Sequence, residues 1–184
     1  EEIEILEWWV ESGGSSTEPL VNLDAPKYIQ GIIASELGLE TVKEVPLPDR
    51  EWVMAEARRL ETELGILTQP LHPTEPWLEV TGRLQFDAFN DESLAGLESL
   101  ALVIRRLDIG ETGITDAGLS SLAPMKNLRM LKLDRTHITD AGLNALKSID
   151  SLSSLVLFST AITDLGALTL SKLPNLKSVF LWDT

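Results

Sequence analysis

The chain has 184 residues, 43% of them apolar, and a formal net charge of −14 at pH 7, which is enough for one domain and an appendage. That charge repels phosphate and argues against nucleic acid or an anionic membrane as partner, and no run approaches the ~18 consecutive apolar residues of a membrane span. With no cysteine in the sequence, neither a disulfide framework nor a Cys metal site can be built. The acidity is uneven: residues 1–76 carry 16 acidic and 5 basic side chains, residues 77–184 carry 13 and 10. The chain opens on Glu1 with no basic n-region or signal core, which reads as a mature chain or a piece of a longer one.

In chain order, Glu1–Val10 places Ile3, Leu6, Trp9 and Val10 at helical spacing between glutamates, and Gly13-Gly14 ends it. Asp24–Leu37 is a second predicted helix, with Asp24 as cap, Pro26 in the first turn and Ile29, Ile32, Ile33 and Leu37 on one stripe. Asp49–Leu64 is a third, capped by Asp49 and stopped by Gly65, with Trp52, Val53, Ala57, Leu60 and Leu64 as its apolar face. The three prolines of residues 65–76 predict an extended segment.

From residue 104 the chain repeats itself every 24 residues. Leu128, Leu131, Leu133, Thr136, Ile138, Asp140, Gly142 and Leu143 recur as Ile104, Leu107, Ile109, Thr112, Ile114, Asp116, Gly118 and Leu119, and again as Leu152, Leu155, Leu157, Thr160, Ile162, Asp164 and Gly166. A partial copy supplies Leu176, Val179, Leu181 and Thr184. Residues 77–103 form a degenerate first copy, with Phe89-Asn90-Asp91 standing where Ile114-Thr115-Asp116 stands later; its strand is either Leu78–Val80 or Leu84–Phe86. A fixed period of this length predicts a solenoid.

Within one copy, the strand period of two sends Leu131 and Leu133 inward and Met130, Lys132 and Asp134 to the opposite face. Leu128, Ile138, Leu143, Leu146 and Ile149 fill the space behind the strand. Thr139 or Asp140 is expected to cap a short helix. The Thr112, Thr136, Thr160, Thr184 column should satisfy backbone groups in the bend after the strand. Gly118, Gly142 and Gly166 fall where neighbouring copies should approach closely.

The L-x-x-L-x-L spacing resembles the leucine-rich repeat. The fold this implies is an α/β solenoid with a parallel sheet on its concave face, helices outside and a helical N-terminal cap: residues 1–14 ending an upstream domain or forming a capping helix, 15–76 as cap and linker, 77–184 as repeats. The I-T-D-A-G-L copies also resemble repeats in envelope proteins of Bacteroidetes and Planctomycetes, where they follow a c-type cytochrome-like domain. Glu1–Gly13 resembles the acidic last helix of that domain, and residues 65–80 the joining stretch. The resemblance implies a periplasmic or envelope location. The haem-attaching Cys-x-x-Cys-His is absent here, so no redox role passes to these residues.

The concave columns read Arg106/Met130/Ser154/Ser178, Asp108/Lys132/Val156/Phe180 and Gly110/Asp134/Phe158/Trp182. Solenoids bind partners on this face, which makes Arg106, Asp108, Met130, Lys132, Asp134, Val156, Phe158, Phe180 and Trp182 the candidate contact residues. His72 and His137 have no second ligand at metal spacing, and no nucleophile or phosphate-loop motif is present; no cofactor is called for. The expected function is a non-enzymatic interaction module binding a protein or an adjacent domain. The alternatives are an accessory domain of an envelope electron-transfer or polysaccharide-processing system, and a hydrolase with a carboxylate site. The C-terminal strand edge is expected to be covered, with homodimerisation through Phe180 and Trp182 as one route.

Overall fold

A computed structural model describes residues Leu47–Thr184. The helices expected at Glu1–Val10 and Asp24–Leu37 lie outside the described residues. The first described helix, α1 (Arg50–Leu64), starts where the Asp49 carboxylate accepts hydrogen bonds from Glu51 N and Trp52 N, and stops where Gly65 takes a left-handed conformation. It buries Val53, Ala57 and Leu60. Trp52, expected on that face, is 47% exposed among the described residues.

Helix α1 lies against the extended segment β1 (Leu67–Pro70) and the turn Glu98–Leu100. Ser99 Oγ donates to Glu56 Oε1 at 2.6 Å, tying helix to first repeat. Hydrogen bonds from the Arg59 guanidinium and then from Ser99 hold the Glu56 carboxyl down at about 2.

The sheet has six strands in sequence order: β1, β2 (Leu78–Thr81), β3 (Ile104–Asp108), β4 (Met130–Lys132), β5 (Ser154–Val156) and β6 (Ser178–Phe180). From β2 to β6 all neighbours are parallel, and the register aligns Leu107, Leu131, Leu155 and Val179. The pairing of β1 with β2 is antiparallel, so the segment expected to be extended adds one reversed strand at the edge of the parallel sheet. The reversal follows from chain length: residues 71–77 are too few for a crossover and can only turn back. The degenerate repeat uses Leu78–Thr81 as its strand. The competing Leu84–Phe86 falls in a 3₁₀ segment (Arg83–Ala88), with Leu84 and Phe86 exposed and Phe86 at positive φ.

Behind the sheet lie one turn-rich segment per repeat: α2 (Asp91–Ala95), 3₁₀ helices at Gly118–Leu122 and Gly142–Ser148, and α3 (Asp164–Leu170). Two of these four expected outer helices are therefore 3₁₀, the tighter form that suits short pieces. Leu128, Ile138, Leu143, Leu146 and Ile149 are all buried, as the repeat pattern required.

Each bend after a strand places a non-glycine residue at positive φ, namely Glu111, Arg135, Ser159 and Asp183. In the first three bends the next residue closes the bend, whereas Thr184, the fourth of the expected column, makes no such bond among the described residues. Thr112, Thr136 and Thr160 donate their hydroxyls to the carbonyls of Ile109, Leu133 and Leu157, each at 2.6 Å. Thr136→Val keeps the shape and leaves the Leu133 carbonyl without this donor, so chemical denaturation should read a loss of about 1–3 kcal/mol. An unchanged midpoint would mean that water replaces the hydroxyl.

The Thr-Asp pairs do more than cap helices. Asp116 accepts from Thr139 N at 2.8 Å and Thr139 Oγ1 at 2.6 Å, in the next repeat. Asp91 does the same to Thr115, and Asp140 to Thr163. Asp140 was a candidate helix cap; it is instead a clamp between repeats, because its carboxylate faces the following copy. Its pKa lies below the usual value through the Thr163 hydroxyl and N–H, with Gly166 N–H adding to them. The threonine half of the pair keeps the capping role, with Thr163 accepting from Leu165 N at the start of α3. A second column joins the other end of each repeat: Asn127 Nδ2 donates to Leu102 O, Ser151 Oγ to Leu128 O and Asn175 Nδ2 to Asp150 O.

Candidate functional site: the concave face

The nine residues predicted to face a partner divide into three groups. The first is an ion cluster. Asp108 accepts from Lys132 Nζ at 2.9 Å, and both Asp108 and Asp134 accept from Arg83. Arg83 stands two residues beyond Thr81, and Thr81 pairs with Asp108. It thus comes alongside Gly110, at the head of the third concave column. A Cβ on Gly110 would lie 2.4 Å from Arg83 Nη2 and 2.5 Å from Asp134 Oδ1, so glycine is what lets the guanidinium reach over to Asp134. Arg83 also donates to Glu111, which pairs with Arg135 as well. Burial pulls the Arg83 pKa down, but the Asp134 hydrogen bond and the Asp108 and Asp134 charges outweigh it, so it sits above the ordinary value.

Asp134 is 1% exposed. It was expected to present its charge to a partner; instead it is buried beneath Arg83, because a carboxylate out of water needs a cation. Asp108 is likewise occupied. Arg83 itself was not singled out from the sequence, since it lies in the degenerate repeat; the gap at Gly110 was the available signal.

The second group, Arg106 and Met130, lines a cavity of about 380 Å³ at the entry ends of β3–β5, walled by the proline-rich loop around His72 and Glu75. Arg106 pairs with Glu79 at 3.4 Å. His72 accepts from Thr74 N and Glu75 N through Nδ1, which shapes that loop.

The third group is apolar. Val156 and Phe158 are half-buried, with the Arg135 guanidinium 5.5 Å from the Phe158 ring centre. In the same columns on the next strand, Phe180 is 57% and Trp182 73% exposed. These side chains point to the concave side, whereas Val179 and Leu181 belong to the core side of the strand.

Parallel strands at a 24-residue interval, hydroxyl-closed bends and short helices on the outer side define a leucine-rich-repeat solenoid. A family model described as "Leucine Rich repeat" matches residues 103–123, the first full strand and the helix after it. Among solved structures, "Leiomodin-1 Actin-Binding Site 2 (ABS2)" is similar, with a TM-score of 0.42 and 21% identity. The similarity covers 52% of this chain and 65% of that one, just under two thirds of its length. No curated protein matches the chain.

Proposed function

We propose that the protein is a non-enzymatic interaction module whose concave sheet face binds a protein partner. The observation that carries this reading is the exposed pair Phe180 and Trp182, standing in column with Val156 and Phe158. Exposed rings of this kind on a rigid sheet are the side chains that dominate binding energy at interfaces. The acidic residues of the same face support the non-enzymatic part: Asp108, Glu111 and Asp134 each hold a cation, as structural ion pairs do.

The test is selection of peptide binders against the chain, with the Phe180→Ser/Trp182→Ser variant as counter-target. Binders that lose at least tenfold in affinity on the variant, whose melting temperature stays unchanged, support the reading. Binders indifferent to both substitutions, or a variant that unfolds, defeat it. Light scattering at micromolar concentration identifies one particular occupant: a dimer that the double variant converts to monomer makes the partner a second copy of the chain.

We also propose an envelope or periplasmic location beside a cytochrome-like domain, supported by the resemblance of Glu1–Gly13 and of the repeats. An encoded Cys-x-x-Cys-His ahead of Glu1 in the full gene supports it; a gene without that motif removes the support.

A further inference from the structure

The cavity at the entry ends of β3–β5 has a charge character opposite to that of the chain. Arg105, Arg106 and Arg129 all line it, in a protein of net charge −14. Elsewhere on this sheet the cations are paired: Arg83, Lys132 and Arg135 each meet a carboxylate within 3.1 Å. Arg105 and Arg129 form no such pair among the described residues.

Arg105 lies against an aromatic face. Its guanidinium stacks on the Trp77 ring, 3.7 Å from the centroid, and Trp77 is itself buried. Its Nε is buried with no hydrogen-bond partner among the described residues. An orphaned donor of this kind needs an explanation. Its pKa is lowered by burial and then by the Arg129 charge, with Glu75 opposing. Arg129 lines the same cavity from the neighbouring repeat, where its N donates to Arg105 O, so two like charges share one site.

We propose that this cavity binds a carboxylate, held in the fork of Arg105 and Arg129. The planar guanidinium matches a carboxylate with two parallel hydrogen bonds. Charge balance selects a monoanion: three arginines face Glu75 and the Arg106-paired Glu79, leaving a net of about one positive charge. Ser154 lines the same cavity and brings a hydroxyl donor to it, and Leu71 and Met130 give the ligand's carbon portion an apolar wall. This site stands apart from Phe180 and Trp182, so it does not depend on the protein-binding reading.

The experiment follows the arginine Nε–H signals of the ¹⁵N-labelled 184-residue chain by NMR. Acetate, N-acetylleucine and inorganic phosphate are titrated in turn against chloride at matched ionic strength. Saturable shifts of the Arg105 and Arg129 signals with the carboxylates, absent with chloride, are expected. Arg129→Gln, an exposed position, should weaken carboxylate binding at least tenfold while the backbone spectrum is unchanged; Arg105→Gln should do the same. N-acetylleucine binding more tightly than acetate assigns a peptide chain end, and equal binding a small organic acid; both carry the carboxylate site. Shifts that never saturate, shifts reproduced by chloride, phosphate binding as tightly as the carboxylates, or a folded Arg129→Gln chain that binds as before would each overturn it.

Discussion

Gly142→Ala should destabilise the chain by about 2–4 kcal/mol, and Asp116→Ala in the same molecule should remove most of that loss. A glycine in an outer helical segment ordinarily gains stability on becoming alanine, by about 0.4–1 kcal/mol. Here the sign reverses, because a Cβ on Gly142 would sit 2.3 Å from Asp116 Oδ1 and 3.1 Å from Leu119 Cδ1. Either the carboxylate leaves, breaking its two bonds to Thr139, or the repeats separate. Overpacking costs roughly 1–3 kcal/mol and the broken bonds add to it. With Asp116→Ala already present, only the flexible end of Leu119 is left to give way, so Gly142→Ala should cost little or nothing. Urea titrations of the four chains of this cycle decide it. Equal losses from Gly142→Ala with and without Asp116 would show that the glycine is there for its backbone alone.

Arg83→Met should be the second large effect, about 2–4 kcal/mol. Removing one partner of a buried pair leaves the other charge without compensation, which costs about 3–5 kcal/mol when both are fully buried. The Arg83 side chain is 27% exposed, and water reaching the vacated space lowers the figure. Asp134→Asn should be milder. The double variant should be more stable than Arg83→Met alone, since the isolated buried charge is then gone. If Arg83→Met melts with the parent chain, the cluster is surface decoration.

The contrast between what was legible and what was not follows the repeat. Positions filled in every copy, such as Leu107, Leu131 and Leu155, announced their strand, face and register, because one period must serve all copies. Thr136 announced its bend for the same reason. Trp52 failed because the helical stripe shows which side is apolar and not what meets it. Asp134 failed because its partner, Arg83, lies 51 residues away, in the copy whose spacing is irregular; β2 and β3 align with a register shift between Leu78 and Glu79. A charge column read without its first member looks open. Arg105 and Arg129 sit one residue before the concave columns, in a row that strand alternation assigns to the other face, so nothing in the pattern singled them out. The stacking of Arg105 on Trp77 depends on the proline-rich loop, whose course no periodicity dictates.

The clamp built from Asp91, Asp116 and Asp140 has a consequence for how the molecule unfolds. Each bond spans 23 or 24 residues and joins a copy only to the one after it. Apart from the Arg83–Asp134 pair, which reaches across two copies, this cohesion is a nearest-neighbour coupling along a line, repeated with nearly the same chemistry at each junction. In such a one-dimensional array, opening is a boundary that moves along the stack, and each step it takes releases one clamp. Amide exchange should therefore report opening free energies graded in sequence order along the array.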